Sequence, residues 1–213
     1  MTQDFSAARE NMVENQVRTN DVTDLDIQDA MRAVARERFC PPGKGHLAYA
    51  ETAVEYAPGC FLMAPRDIAK LLQAIRPRRG ERALAICAPY AAAVLARIGL
   101  DVTLRIPAGE GVRAATAALQ GEAVQVVAGD PRTVGDDGPY DVIVCEGGVE
   151  RAPEAWLAAI DVGGRLGVVE RTGPVGKARL YQRGDDALVG RREVFDATPP
   201  VMAGFEATAG FAF

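Results

Sequence analysis

The sequence predicts an α/β fold: a doubly wound, mostly parallel sheet covered by helices, preceded by an N-terminal helical lid and closed by an antiparallel edge. Three observations carry this. From Glu81 onward, short aliphatic runs alternate with Ala/Leu-rich stretches of helical length. Those runs are continuously apolar rather than alternating, as strands buried on both faces are. After about residue 175 the strand-like runs follow one another with no helix between them.

The first forty-four residues predict the lid. Phe5, Ala8, Met12, Val13 and Val17 fall at helical spacing, with Arg9, Glu10, Glu14 and Arg18 on the other side. Thr23, with Asp26 three residues on, announces a second helix through Ile27, Ala30, Met31 and Val34. CPPGKG at 40–45 breaks the chain, and residues 45–213 are expected to form the α/β core of a single domain. An extended segment is expected from Leu47 to Val54, then the turn APG at 57–59. Pro65 suits the first position of a third helix, whose Ile68, Leu71, Leu72 and Ile75 make one apolar face. Arg76, Arg78 and Arg79 then read as a solvated loop.

ALAIC (83–87), VTLRI (102–106), AVQVVA (123–128), DVIVC (141–145) and GRLGVV (164–169) are the expected parallel strands, and 90–98, 109–119 and 153–160 the covering helices. ARLYQR, ALVGRREVF and FEATAGFAF are expected as antiparallel edge strands. The last of these alternates Phe205, Ala207, Ala209, Phe211 and Phe213, a pattern suited to covering its own sheet or pairing with a second copy. Asp136-Asp137 and Asp185-Asp186 stand beside glycine and read as turns.

The bulk numbers narrow the function. The chain has 213 residues, 48% hydrophobic and 25% charged, with a formal net charge of −5, which gives no basis for binding a nucleic acid backbone. No run of eighteen apolar residues predicts a membrane span, and the charged N-terminus does not resemble a secretory signal. Cys40, Cys60, Cys87 and Cys145 are scattered without a CxxC pair and read as small reduced hydrophobes. With one histidine, His46, no metal site is expected. A cytoplasmic location is the expectation. No nucleophile elbow and no GxxxxGK phosphate loop is present.

NMVENQVR (11–18), AMRAVARERFCP (30–41), AYAETAV (48–54), the Pro65 helix, AAAVLA (91–96) and GDPRTVGDDGPYDVIVCEGGVERAPEAWLAAIDVGGRLGVV (129–169) together resemble the protein-L-isoaspartate O-methyltransferases. TND at 19–21 is similar to one branch of them. The resemblance implies a Rossmann-like, class I methyltransferase fold, S-adenosylmethionine as cofactor, and repair methylation of isomerised aspartyl residues. Function belongs to sites rather than folds, so each site position is weighed separately.

The family pattern at the first strand–helix crossover is leucine, acid, aliphatic, then a glycine-rich loop and tyrosine. Here Leu84, Ile86 and Tyr90 match, but Ala85 replaces the acid and Cys87 the first glycine. Only Ala88 and Pro89 remain before Tyr90, a loop two residues shorter. Those glycines let a nucleotide approach the backbone, and proline removes an N–H from the helix start. At the next strand end the family carries an acid for the ribose hydroxyls; the matching residue is Arg105, which only donates. Losing two hydrogen bonds to charged groups removes about 3–6 kcal/mol, against about 8 kcal/mol for a micromolar site. The family word GQTISQP maps onto GCFLMAP (59–65), with Met63 for the hydroxyl residue, Ala64 for the amide, and Pro65 retained. Gly129, Asp130 and Glu146-Gly147 match positions around the adenine and after the fourth strand, either as remnants of a pocket or as turn and cap residues.

The favoured expectation is therefore a non-catalytic member of this family that holds no cofactor, the eleven positions from Met63 to Glu146 being vestigial, and works by binding a protein partner or itself. The alternative is an active S-adenosylmethionine-dependent protein-L-isoaspartate (D-aspartate) O-methyltransferase with an altered cofactor site. A third and weaker one is a nucleotide-phosphate sensor using Arg105.

Overall fold

The computed structural model describes residues 4–206. Its centre is a seven-stranded sheet built from β3 (Arg82–Ile86), β4 (Asp101–Ile106), β5 (Val124–Ala128), β6 (Tyr140–Val149), β7 (Ile160–Glu170), β8 (Gly176–Arg183) and β9 (Val189–Ala197). The order is β5-β4-β3-β6-β7-β8-β9. The first five are parallel; β8 and β9 add on antiparallel, as the missing helices after residue 175 predict. Strand order reverses between β3 and β6, and in open α/β sheets ligands bind at the carboxyl ends beside such a switch point.

Helix α3 (Pro65–Ile75) has Pro65 at its first position and buries Ile68, Leu71, Leu72 and Ile75, as the spacing predicts. It packs onto β7, where a Cβ on Gly167 would lie 2.8 Å from Ile75 Cγ2, so the close approach requires glycine. Helix α4 (Pro89–Ile98) is alanine-rich because it is buried almost throughout, from Tyr90 to Leu95 without an exposed side chain. Helices α5 (Glu110–Ala118) and α6 (Glu154–Ala158) complete the crossovers, α6 shorter than the 153–160 the sequence predicts. A separate hairpin of β1 (Val54–Ala57) and β2 (Cys60–Leu62) turns at Pro58-Gly59.

The N-terminal segment packs into the core. Helix α1 (Ser6–Met12) continues as a π-turn over Val13–Val17 and a 3₁₀ turn, and helix α2 (Leu25–Ala33) follows. Met12, Val13, Val17, Ile27 and Met31 are completely buried and belong to the one continuous core. The cap of α2 is Asp24 rather than Thr23: its carboxylate accepts from the N–H groups of Asp26 and Ile27, while the backbone N–H of Thr23 donates to Gln73 Oε1. The extended segment expected from Leu47 begins instead as a 3₁₀ turn, Gly45–Tyr49. Side chains from elsewhere bind its carbonyls, Arg36 Nε donating to Ala48 O and Gln16 Nε2 to Tyr49 O. Strand β6 runs on through Glu146 to Val149, with an irregularity where Gly148 also bridges Val201. Of FEATAGFAF only Phe205 and Glu206 are described; the expected strand pattern lies outside the described residues. Among the described residues no helix is long and apolar enough to cross a membrane, and no group of three or more His, Cys, Asp or Glu side chains could hold a metal ion.

Candidate functional site

The carboxyl ends of β3, β4, β5 and β6 bring Cys87, Pro107, Asp130 and Glu146 to one end of the sheet. Cys87 follows β3 at φ +49, the left-handed region that favours glycine, and its N–H donates to Arg105 O at 2.9 Å. Ala88 precedes the first turn of α4, with no side-chain cap, and Pro89 fills the first helical position. Ala85, Cys87, Ala88 and Tyr90 are all buried, so the crossover packs as strand against helix.

The start of a helix gathers unpaired N–H groups and favours negative charge. Here that place is taken by a carboxylate of the chain itself. Glu146, wholly buried, accepts from Ala91 N at 3.4 Å and from Met63 N at 3.1 Å. Arg36, also wholly buried, stands 3.8 Å from Glu146 Oε1, donates to the carbonyls of Ala48 and Met63, and lies 4.4 Å from the centre of the Tyr90 ring. Burial raises the Glu146 carboxyl to about 7, the Arg36 guanidinium and the two N–H donors opposing it. A hydrogen bond is left unmade at Arg36 Nη1 and at Tyr90 Oη.

The second departure is equally engaged. Arg105 Nε donates to Asp130 O at 2.9 Å and its Nη2 to Thr133 Oγ1 at 2.8 Å, folding the guanidinium over the loop after β5. A Cβ on Gly129 would lie 2.7 Å from that Nη2. Thus the arginine that a phosphate sensor would need is committed to its own loop. Asp130 itself is held by Arg132, whose Nη2 donates to Oδ2 at 2.8 Å and whose backbone N–H donates to Oδ1 at 2.9 Å. The Arg132 bonds keep its carboxyl below the ordinary aspartate range. It serves as a turn residue, Thr133 N donating to its carbonyl.

On the substrate-loop side, Met63 is fully buried and Ala64 and Pro65 begin α3. A cleft of about 290 Å³ remains beside the crossover, lined by Cys60, Cys87, Pro107, Asp130, Met202 and Phe205 among others. That is just under the roughly 300–1,000 Å³ of ordinary ligand pockets. Its outer wall is the segment after β9, where Met202 N donates to Gly148 O at 2.9 Å and Ala203 packs on Gly59.

The donor set does not match the one the resemblance implies for S-adenosylmethionine. The ribose carboxylate position carries a cation, and the N–H group of Ala91 already donates inward to Glu146. Sequence reasoning picked out Glu146 but missed Arg36, one of three arginines in RAVARER with nothing local to distinguish it.

Comparison with known proteins agrees with the topology. The family described as protein-L-isoaspartate(D-aspartate) O-methyltransferase matches residues 7–194. The chain is 38% identical over 185 residues to "Protein-L-isoaspartate O-methyltransferase 1" of Rhodopseudomonas palustris, covering 84% of this chain and 74% of that protein. It is 36% identical over 197 residues to the protein of the same activity from Methylorubrum extorquens, covering 88% and 85%. A solved protein-L-isoaspartate O-methyltransferase superposes with a TM-score of 0.76 at 22% identity, over 92% of this chain and 66% of that one. A Plasmodium falciparum structure assigned the same activity, and solved with S-adenosyl-L-homocysteine, gives 0.76 at 15% identity, over 91% and 97%. With strand order, N-terminal helices and late sequence words all in agreement, this chain belongs to the protein-L-isoaspartate(D-aspartate) O-methyltransferase family.

Proposed function

We propose that this chain is a member of its family in which the methyl-donor site is closed by internal side chains, and that it acts by binding a protein partner or a second copy of itself. The observation that supports it is Glu146. A buried carboxylate paired with a buried arginine stands at the start of α4, where the fold otherwise offers N–H groups to a ligand. Displacing it would leave Arg36 an unpaired buried charge, at a cost of about 3–5 kcal/mol. Arg105 supports the same reading, since ribose hydroxyls beside it would meet a donor already bonded to Asp130 O.

Isothermal titration of the full chain with S-adenosylmethionine and with S-adenosylhomocysteine tests this. No heat of binding is expected at micromolar ligand; micromolar affinity for either compound overturns it.

The second reading, a working protein-L-isoaspartate O-methyltransferase, draws on its relatives, which carry that name, and on the cleft beside Cys87 and Asp130. Transfer of a labelled methyl group to an isoaspartyl peptide would establish it. Light scattering across a concentration series separates self-association from a foreign partner.

A further inference from the structure

At the end of the sheet opposite Cys87 and Glu146, two adjoining hollows lie between the last turn of α3 and strands β7 to β9. Strand direction fixes their place: Gly163 and Arg165 stand near the start of β7, which runs parallel to β6 and so to β3, whose other end leads into Cys87. One hollow, of about 190 Å³, has Arg78, Arg165 and Gln182 in its lining. The other, of about 230 Å³, has Lys70, Asp21 and Phe195. Arg76 and Arg192 line both, so the two are lobes of one groove.

Four cations thus gather in a chain whose formal net charge is −5. Among the described residues, the side chains of Arg76, Arg78 and Arg192 make no hydrogen bond or salt bridge; Arg76 and Arg78 bond through their backbone alone. Lys70 Nζ stands 5.0 Å from the centre of the Phe195 ring. The groups that would repel an anion are already neutralised. Glu81 accepts from Arg165 Nη1 at 2.7 Å, from Arg165 Nη2 at 2.8 Å and from Arg78 N at 2.8 Å. Arg165 also donates to Ile75 O and Arg76 O, covering carbonyls at the negative end of α3. Among the described residues, Asp21 is the one carboxylate lining either lobe.

We propose that this groove binds a diphosphate group, one phosphoryl unit in each lobe, with Arg76 and Arg192 between them. A guanidinium fork matches phosphate oxygens two at a time, and a ligand with several negative charges answers several unpaired cations. Gln182 adds an amide donor to the first lobe. Each lobe is smaller than the roughly 300–1,000 Å³ of an ordinary ligand pocket, which suits a charged headgroup and leaves the rest of a larger ligand in solvent. Free diphosphate and a nucleoside diphosphate share this chemistry. The site is separate from the Glu146 crossover and stands whether or not the cleft there takes a methyl donor.

Isothermal titration of the full chain at low salt with inorganic diphosphate, ADP and citrate tests this. Diphosphate is expected to bind one to one with Kd below about 1 mM, and citrate not to bind in that range. ADP binding alongside diphosphate assigns the group to a nucleotide, and diphosphate binding without ADP assigns it to the free ion; both results support the site. R76A/R192A should weaken diphosphate by about tenfold or more, because two charge-assisted contacts are lost. K44A/R113A removes the same charge from exposed positions elsewhere and should leave the affinity within about twofold. In the unmodified chain, diphosphate should shield Arg76, Arg78 and Arg192 from phenylglyoxal, mapped by peptide mass, and leave Arg113 reactive. That mapping decides the matter even if the double variant fails to fold. Absent diphosphate binding, citrate binding as tight as diphosphate, equal losses in the two double variants, or three unshielded arginines overturns the proposal.

Discussion

Glu146 shows what one burial event does to a carboxylate. Its carboxyl titrates near 7 in the folded chain against an ordinary 4.5, because removal from water outweighs Arg36 and two N–H donors. The folded state therefore holds this proton over a range in which the unfolded chain has released it. The stability the group contributes is complete below about pH 4.5 and is lost as pH rises toward 7. The separation corresponds to roughly 3 kcal/mol. Urea denaturation between pH 4.5 and 7 should reveal this component, and E146Q should remove it from the slope. Arg36 is the counterpart. R36M removes the guanidinium from a buried carboxylate and should lower unfolding free energy by about 3–5 kcal/mol at pH 7, measured by the same denaturation. The pair R36M/E146L should regain much of that loss, because a matched apolar pair leaves no unpaired charge.

At the scale of elements, the cleft exists because three segments that are distant in sequence are pinned by bare backbone. Gly59 turns the β1–β2 hairpin at φ +69, and a Cβ on it would lie 2.4 Å from Ala203 Cβ. Gly147 and Gly148 likewise admit Met202 and the carbonyls of Pro199 and Pro200. G59A combines a left-handed backbone with a clash, so it should lower stability by about 1–3 kcal/mol and loosen the segment after β9. Limited proteolysis should show faster cutting between Thr198 and Glu206, with the sheet core protected. The same scale explains what local patterns could and could not reveal. Strands β3 and β6 were legible because parallel strands buried on both faces read as unbroken aliphatic runs, whereas β4 alternates and the edge strand β5 buries no residue, so those two were legible from the helical stretches that flank them. The 3₁₀ turn at Gly45–Tyr49 was not, because Arg36 and Gln16, remote in sequence, bind its carbonyls. Thr23 lost the cap to Asp24 because the Asp24 carboxylate, directly before the helix, accepts from the N–H groups of Asp26 and Ile27.

For the whole molecule, the family and the sheet order were readable from sequence words alone. The side-chain pairings around the crossover were not readable. Arg36 reaches Glu146 across 110 positions of chain. The N-terminal helices form part of the core. Met12, Val13, Val17, Ile27 and Met31 are wholly covered, and each large apolar side chain contributes about 1.5–3 kcal/mol on burial. Their sum rivals the roughly 5–15 kcal/mol of a whole domain. Deleting residues 1–34 should therefore abolish the cooperative thermal transition followed by circular dichroism; a truncated chain that still melts sharply would contradict this.

The reversal of strand order has a kinetic corollary. Ala83 pairs with Val102 on one side and with Val142 on the other. A nascent chain can thus zip β3 to β4 early, yet the opposite flank of β3 stays an open, greasy template until β6 has been made and threaded beside it. Such distant pairings retard folding and leave adhesive intermediates. Refolding yield should accordingly fall as protein concentration rises, the losses arising while that flank waits for its neighbour.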